Sequence, residues 1–336
     1  MKIAVDGMGG DFAPAVVVEG VAKALKDFPG VEILLVGHEK KMAPHIRKHK
    51  LQSHPALQIV HAEEVVEMND PSTAAIRSKK NSSITVAATL VANGEADALV
   101  SAGHTGAAVA ATKIKMRMLP GVDRPALATI MPAIQGPFIM LDVGANIDSK
   151  PLNLAQFAIM GEAFACLAFS SLRPRIGILS VGEEDVKGNS LTKETFKILS
   201  DMPINFVGNI EGNALFEKAA DVVICDGFIG NVLLKSIEGM ARASMYWLKE
   251  ALSKNPIRLT GAMLMKNAFR ELKAIGDSEE YGGARLLGVN GVCIIGHGSS
   301  TPKAIKNAIR VAEESVKFGI NRHITKNISD AGITIK

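Results

Sequence analysis

Short, mainly apolar runs recur at 3–5, 31–36, 57–60, 97–100, 126–131, 138–143, 176–181, 204–207, 222–225 and 292–295. Runs of this kind predict strands buried on both faces. Between them apolar residues return every three or four positions, as Val17, Val18, Val21, Ala22 and Leu25 do, which predicts helices. Helices are expected over 72–92 and 105–118. A third, over 152–172, carries Asn153, Gln156 and Glu162 and reads as a core helix, not a membrane span. The alternation predicts an α/β fold, a mainly parallel sheet with helices on both faces, and a single unit over 1–336. Gly136-Pro137 predicts one hairpin-like antiparallel join.

Over 233–273 the pattern changes. Leu233, Ile237, Met240, Trp247, Leu248 and Leu252 keep helical spacing, Asn255-Pro256 interrupts it, and Met263, Leu264, Phe269 and Leu272 resume it. This predicts a projecting amphipathic helical hairpin whose tip carries Ile257, Leu259 and Ala262, suited to a dimer seam or a membrane surface. Packing of the same stretch on the parent sheet is the alternative.

Composition narrows the function classes. Aromatics are 4% of the chain, too few for base-stacking platforms, so no nucleic-acid partner is expected. A net charge of +4 favours acidic partners mildly. Cys166, Cys225 and Cys293 are far apart and form neither a metal-ligand pattern nor a disulfide framework, which suits a reducing cytoplasm. The apolar run beginning at Ile3 leaves no room for a signal peptide ahead of it.

Candidate chemistry gathers at glycine-rich strand ends. Asp6-Gly7-Met8-Gly9-Gly10-Asp11 follows the first strand, and Pro14 opens a helix. Such a turn lets several amides converge on an anion at the helix's positive end, or simply makes a tight turn. Phe12 breaks the dinucleotide fingerprint, and no P-loop occurs. The segment 96–107 repeats in style at 220–231: Ala-Asp, three apolar residues, then Gly-x-x-Gly entering a helix. Gly296-His297-Gly298-Ser299-Ser300 is a third strand end of this kind. Ligands of open α/β sheets bind outside carboxyl strand ends, so one crowded anion-binding cleft is expected.

These motifs, with Asp142-Val143-Gly144-Ala145-Asn146, Lys150-Pro151, Gly188-Asn189, Gly208-Asn209-Ile210-Glu211-Gly212 and Tyr281-Gly282-Gly283-Ala284, run in order along the chain. In them it resembles the bacterial PlsX family of acyl-carrier-protein:phosphate acyltransferases. Gly7 stands where Ala is common, and Arg285 where a small uncharged residue is expected, which bears on the charge of the cleft. The resemblance implies transfer of a long-chain acyl group from acyl carrier protein to inorganic phosphate, giving acyl phosphate for phosphatidic acid synthesis. It implies the isocitrate/isopropylmalate-dehydrogenase-like sheet shared with phosphate acetyltransferases, no organic cofactor, a homodimer, a cytoplasmic enzyme peripheral to the inner membrane face, and a downstream glycerol-3-phosphate acyltransferase. A short-chain acyl-CoA phosphotransacetylase and a nonenzymatic acyl-carrier-protein scaffold at the membrane are the alternatives.

In that reaction phosphate is the nucleophile, so the protein must hold a dianion against a thioester carbonyl. Candidate amide donors are Gly9, Gly10, Gly103, Gly106, Gly227 and Gly230, with side-chain donors Thr105, Asn146, Asn209, Asn231, Ser299 and Ser300. His104 or His297 could protonate the leaving thiol or hold phosphate. Asp6, Asp11, Asp142 and Asp226 could orient donors or take a proton, or serve as turn and helix caps; their spacing suggests no metal site. An acyl-Cys225 intermediate is a rival route, weighed against Cys225 as a small buried apolar residue. Arg77, Lys79 and Lys80 are the candidate carrier-protein contacts.

Overall fold

The structure, a computed structural model, describes residues 1–67, 69–275 and 279–333. The chain opens with β1 (Lys2–Asp6), α1 (Ala15–Asp27), β2 (Glu32–Gly37), α2 (Glu39–Lys48) and β3 (Leu57–His61). Next come α3 (Ser72–Ser78), α4 (Ser83–Ala92), β4 (Ala98–Ser101), α5 (Thr105–Lys115), β5 (Ala126–Met131) and β6 (Phe138–Leu141). The middle holds α6 (Pro151–Phe169), β7 (Ile176–Ser180), α7 (Ser190–Ser200), β8 (Phe206–Glu211) and β9 (Val222–Ile224). An arm of α8 (Gly227–Ser253), α9 (Pro256–Leu264) and α10 (Lys266–Ile275) precedes β10 (Ala284–Leu287), β11 (Val292–Ile295), α11 (Pro302–Phe318) and α12 (Ile320–Asp330).

The strands form one sheet in the order β3-β2-β1-β4-β11-β10-β5-β6-β9-β7-β8. The fold is α/β with helices on both faces, as expected, but the sheet is mixed. β10 runs antiparallel to β11 and to β5, and β5 antiparallel to β6, the join at Gly136-Pro137. The other neighbours are parallel. β1 to β5 and β11 therefore point one way, and β6 to β10 the other. The sequence reading had no β10: four residues with Arg285 second do not read as a buried strand. Arg285 faces the core, its guanidinium 4.3 Å from the Phe164 ring centre and its Nε donating to Ser315 Oγ at 3.3 Å. Burial lowers its pKa to about 10, and it adds no charge to a cleft.

The core is continuous on either side of the sheet. α6 is buried, with Phe157 and Phe164 fully covered; each such ring contributes about 1.5–3 kcal/mol by leaving water. The helix expected over 72–92 is two, because Lys79 folds back to Asp70 Oδ2 at 2.6 Å and the Val65 carbonyl at 2.8 Å. In the arm, the expected hairpin is a 27-residue helix, α8, about 40 Å long, followed by two short ones. Leu233, Leu234 and Ile237 at the start of α8 pack partly buried against the core of the sheet, whereas Met240, Tyr246 and Trp247 further along are exposed.

Candidate functional site

The two strand directions split the glycine-rich ends into two groups. Val5, Val100, Ile294, Arg285, Ala128, Leu141 and Ile224 lie in one row across the sheet. From that row β1, β4 and β11 leave toward one end, and β6 and β9 toward the opposite end. β4 and β6 are also four places apart in the sheet, roughly 19 Å at the usual strand spacing. The glycine-rich strand ends therefore leave this row in opposite directions, in two groups.

At the first end, the loops after β1, β4 and β11 meet. Asp6, buried, accepts from Ser101 Oγ at 2.8 Å and from the Met8 amide at 3.2 Å. Burial raises its carboxyl above the ordinary range, while Ser83, Ser101 and the amides of Met8 and Gly9 pull it back. Gly103 donates to Ser101 Oγ at 3.1 Å, and Asp11 to the Gly298 carbonyl at 2.8 Å. His104 caps α5, its Nδ1 accepting from the Ala107 amide at 3.1 Å, which leaves the neutral ring's proton on Nε2. His297 Nδ1 lies 2.8 Å from Ser299 Oγ, and Ser300 Oγ donates to the His297 carbonyl. Gly9, Gly10, Thr105 and Gly106 border the same loops. The cavity among Asp6, Ser83, Ser101 and His104 is about 10 Å³, room for one water.

At the opposite end stand Asp142, Asn146, Asp226, Gly227, Gly230 and Asn231. Asp142, fully buried, accepts five hydrogen bonds: at Oδ1 from the amides of Leu127, Gly144 and Ala145, and at Oδ2 from Asn146's amide and Nδ2, over 2.8–3.1 Å. Burial pushes its carboxyl up and the five donors work against that. Asp226 caps α8, accepting from the Phe228 amide, and its other oxygen accepts from the Ser149 amide, both at 2.9 Å. Gly227 and Gly230 are packing residues, because a Cβ on either would strike the carbonyl of Asn146 or of Asp142. Asn231 sits exposed beside Gly144. Cys225 Sγ donates to the Asp142 carbonyl at 3.4 Å, and burial drives its thiol far above the ordinary range. Burial and the raised thiol fit a small packing residue and weigh against an acyl-cysteine route.

This second end carries a signal that sequence reasoning missed. The side-chain oxygens Ser149 Oγ, Ser180 Oγ and Asn209 Oδ1 are buried without a partner, a costly state unless a ligand or water fills it. Asn209 pairs with Ile178 in register, and Ile178 with Ile224. Asn209, Ser180 and Asp226 thus face the same side at adjoining strand ends. The helices that follow β6, β7 and β9, namely α6, α7 and α8, all begin at this end of the sheet and turn their positive ends toward it. Asn209 was already a candidate from sequence; Ser180, the last residue of β7, could have been picked by its place at a strand end, and nothing in the sequence marks Ser149. Lys79, held by Asp70 and the Val65 carbonyl, is half-buried, whereas Arg77 and Lys80 are exposed.

Residues 1–323 match a family described as "Fatty acid synthesis protein". The chain is 48% identical over 329 residues to the phosphate acyltransferase of Thermodesulfovibrio yellowstonii, covering 98% of this chain and 94% of that one. It is 47% identical over 331 residues to the phosphate acyltransferase of Nitratiruptor sp., covering 98% of each. The chain belongs to the phosphate acyltransferase family. A phosphotransacetylase from Streptococcus pyogenes has a similar fold, with a TM-score of 0.60 at 18% identity over 94% of each chain. At that identity the likeness speaks for the fold alone, and it agrees with the dehydrogenase-like mixed sheet. Helix N-termini stand at both ends, those of α1, α5 and α11 at the first and of α6, α7 and α8 at the second; the first adds a buried carboxylate, one water's space and the unpartnered His38 Nδ1 after β2, the second three unpartnered side-chain oxygens.

Proposed function

We propose that this protein transfers a long-chain fatty acyl group from acyl carrier protein to inorganic phosphate, releasing the acyl phosphate used to make phosphatidic acid. The observation that carries this reading is 47–48% identity along 98% of the chain to phosphate acyltransferases. The seat proposed for phosphate is the second end. Monohydrogen phosphate has three acceptor oxygens and one O–H. Ser149 and Ser180 have hydroxyls to give, and Asn209 Oδ1 is an acceptor whose Nδ2 is already engaged with the Glu184 carbonyl at 2.8 Å. Helix N-termini add the positive field that a dianion needs. A phosphate oxygen attacks the thioester carbonyl carbon, the C–S bond breaks, and the pantetheine thiolate leaves and takes up a proton. With a thiol pKa of about 8.5, departure needs no strong acid, so His104 and His297 at the other end are not required.

Purified protein incubated with palmitoyl-acyl carrier protein and labelled phosphate is expected to form acyl phosphate, trapped as the hydroxamate. No hydroxamate rejects the reading. Turnover of acetyl-CoA instead would identify a short-chain phosphotransacetylase, and carrier binding without turnover a scaffold.

The enzyme is further proposed to act as a cytoplasmic homodimer on the inner membrane face, beside a glycerol-3-phosphate acyltransferase that consumes its product. Support comes from the arm: Ile257, Leu259, Met263 and Leu264 are exposed on α9, with Arg258 and Lys254 among them and Ala262 half-buried. Apolar side chains among exposed cations suit an anionic lipid surface. Trp247 in the arm should shift its emission to the blue with anionic vesicles, and light scattering gives the mass; no lipid response, or a monomer, removes the respective part.

A further inference from the structure

At the phosphate end of the sheet an open groove of about 470 Å³ lies between α12, the 119–120 loop and Asn290. Its walls are fixed. Asn321 Nδ2 donates to the carbonyls of Val289 and Gly291 at 3.1 and 3.0 Å, and Gln156 Nε2 to those of Gly121 and Ile333 at 2.8 and 3.0 Å. Leu119 and Pro120 supply apolar surface, and Arg322 and Lys326, one turn apart on α12, supply the charge. Arg117 stands exposed at the rim, its carbonyl accepting from the Asn290 amide at 2.9 Å. Among the described residues no acidic side chain lines the groove, and Asp330 is the one acid on α12. Among the described residues, none of these three cations has an ion-pair partner.

The groove communicates with the phosphate end. Asp123 accepts from Asn153 Nδ2 at 2.8 Å, Arg124 pairs with Asp148 at 3.3 Å, and Ser149 donates to Asp226 at 2.9 Å. From β10, whose end opens beside the groove, to β9 is three strands, roughly 14 Å, less than the span of an extended pantetheine arm. Resting on the proposed acyl transfer, we infer that this groove is where the acidic carrier protein docks, its acidic face on Arg117, Arg322 and Lys326 and its arm passing over the 119–125 loop to the phosphate. Charge complementarity selects this occupant: a groove rimmed by unpaired cations attracts an acidic protein and repels a second copy of a basic chain. Arg77 and Lys80 lie on and just after α3, which packs on α5 at the other end of the strands, where the arm would have to cross the sheet.

The test is the double charge reversal Arg322→Glu/Lys326→Glu, with its thermal melt compared to wild type, beside Arg77→Glu/Lys80→Glu. Anisotropy of labelled holo-acyl carrier protein measures binding whether or not turnover is seen, which separates docking from the activity itself. The α12 variant should weaken binding and raise the KM for palmitoyl-carrier protein about tenfold or more, with kcat and the phosphate KM unchanged and the salt dependence of binding flattened. The Arg77/Lys80 variant should bind as wild type. Unchanged carrier affinity in the α12 variant, an effect confined to the Arg77/Lys80 variant, or a change in oligomeric state on reversing the α12 charges would each overturn the inference.

Discussion

Asp142→Asn isolates what the buried carboxylate does, because it changes one atom and almost no volume. All five partners of Asp142 are N–H donors, three at Oδ1 and two at Oδ2. An asparagine turns one oxygen into an NH₂. Even in the better orientation, the amide and Nδ2 of Asn146 then face a donor. Two buried donors without acceptors cost about 1–3 kcal/mol each. The substitution also relieves the burial of a charge, which returns part of that cost, so the net loss is about 2–4 kcal/mol. For a protein with about 5–15 kcal/mol of stability this is readily measured by urea unfolding, as a lower midpoint with an unchanged slope. Activity should fall as well, since the 142–146 turn supports Ser149 and the start of α8. A change within about 0.5 kcal/mol would refute the reasoning, because the five donors would then not be serving an ionised carboxylate.

Ser180→Ala and Asn209→Ala should each raise the KM for phosphate several-fold while leaving that for the acyl carrier protein unchanged, by steady-state kinetics; unchanged phosphate KM in both would move phosphate elsewhere. Cys225→Ser should retain most activity, and native protein should resist thiol alkylation at this position, read by mass spectrometry; a labelled Cys225 or a dead variant would revive the acyl-cysteine route. For Asp221, burial opposes ionisation, but Arg175, through its side chain and amide, and Lys218 outweigh it and hold the carboxyl below its ordinary 3.8. With the folded pKa depressed, this stabilisation is present above pH 3.8 and is lost as pH falls through the folded value. Asp221→Asn should therefore lower stability at neutral pH and flatten the acid limb of a melting-temperature profile; an acid limb as steep as wild type would count against the pair.

Most strands were legible because apolar runs need no knowledge of neighbours; the run expected over 204–207 is displaced, since β8 spans Phe206–Glu211 and takes in the polar Asn209. Strand direction was legible only at the Gly136-Pro137 join, where β5 and β6 pair antiparallel as expected. Nothing at 138–143 or 222–225 says that these strands run against β1 and β4; that depends on β10 entering between β11 and β5 and on the turn at Gly136-Pro137 reversing the chain. The 96–107 and 220–231 likeness was read as one cleft for this reason, although a repeat of strand, turn and helix recurs on either end of a mixed sheet. The break at 79–82 was hidden because Lys79 answers to Asp70, whose place is set by the 62–71 loop and not by helical spacing.

The carboxylates at an anion-handling surface lose their paradox once their partners are counted. A Cβ on Gly9 would come within 2.6 Å of Asp6 Oδ2, and one on Gly227 within 2.7 Å of Asp142 Oδ2. In both places the missing side chain lets the following turn close on a buried Asp whose oxygens collect amides. The glycine motif thus describes how a turn is organised, and it recurs wherever a turn needs that organisation. Contact with an anion must come from groups the turn leaves unsatisfied. At the first end the carboxylate and its two hydroxyl neighbours enclose room for a water. At the second, Ser149, Ser180 and Asn209 remain without partners, and of these only Asn209 belongs to a glycine motif, so the proposed phosphate seat is marked mainly by residues that such motifs do not flag.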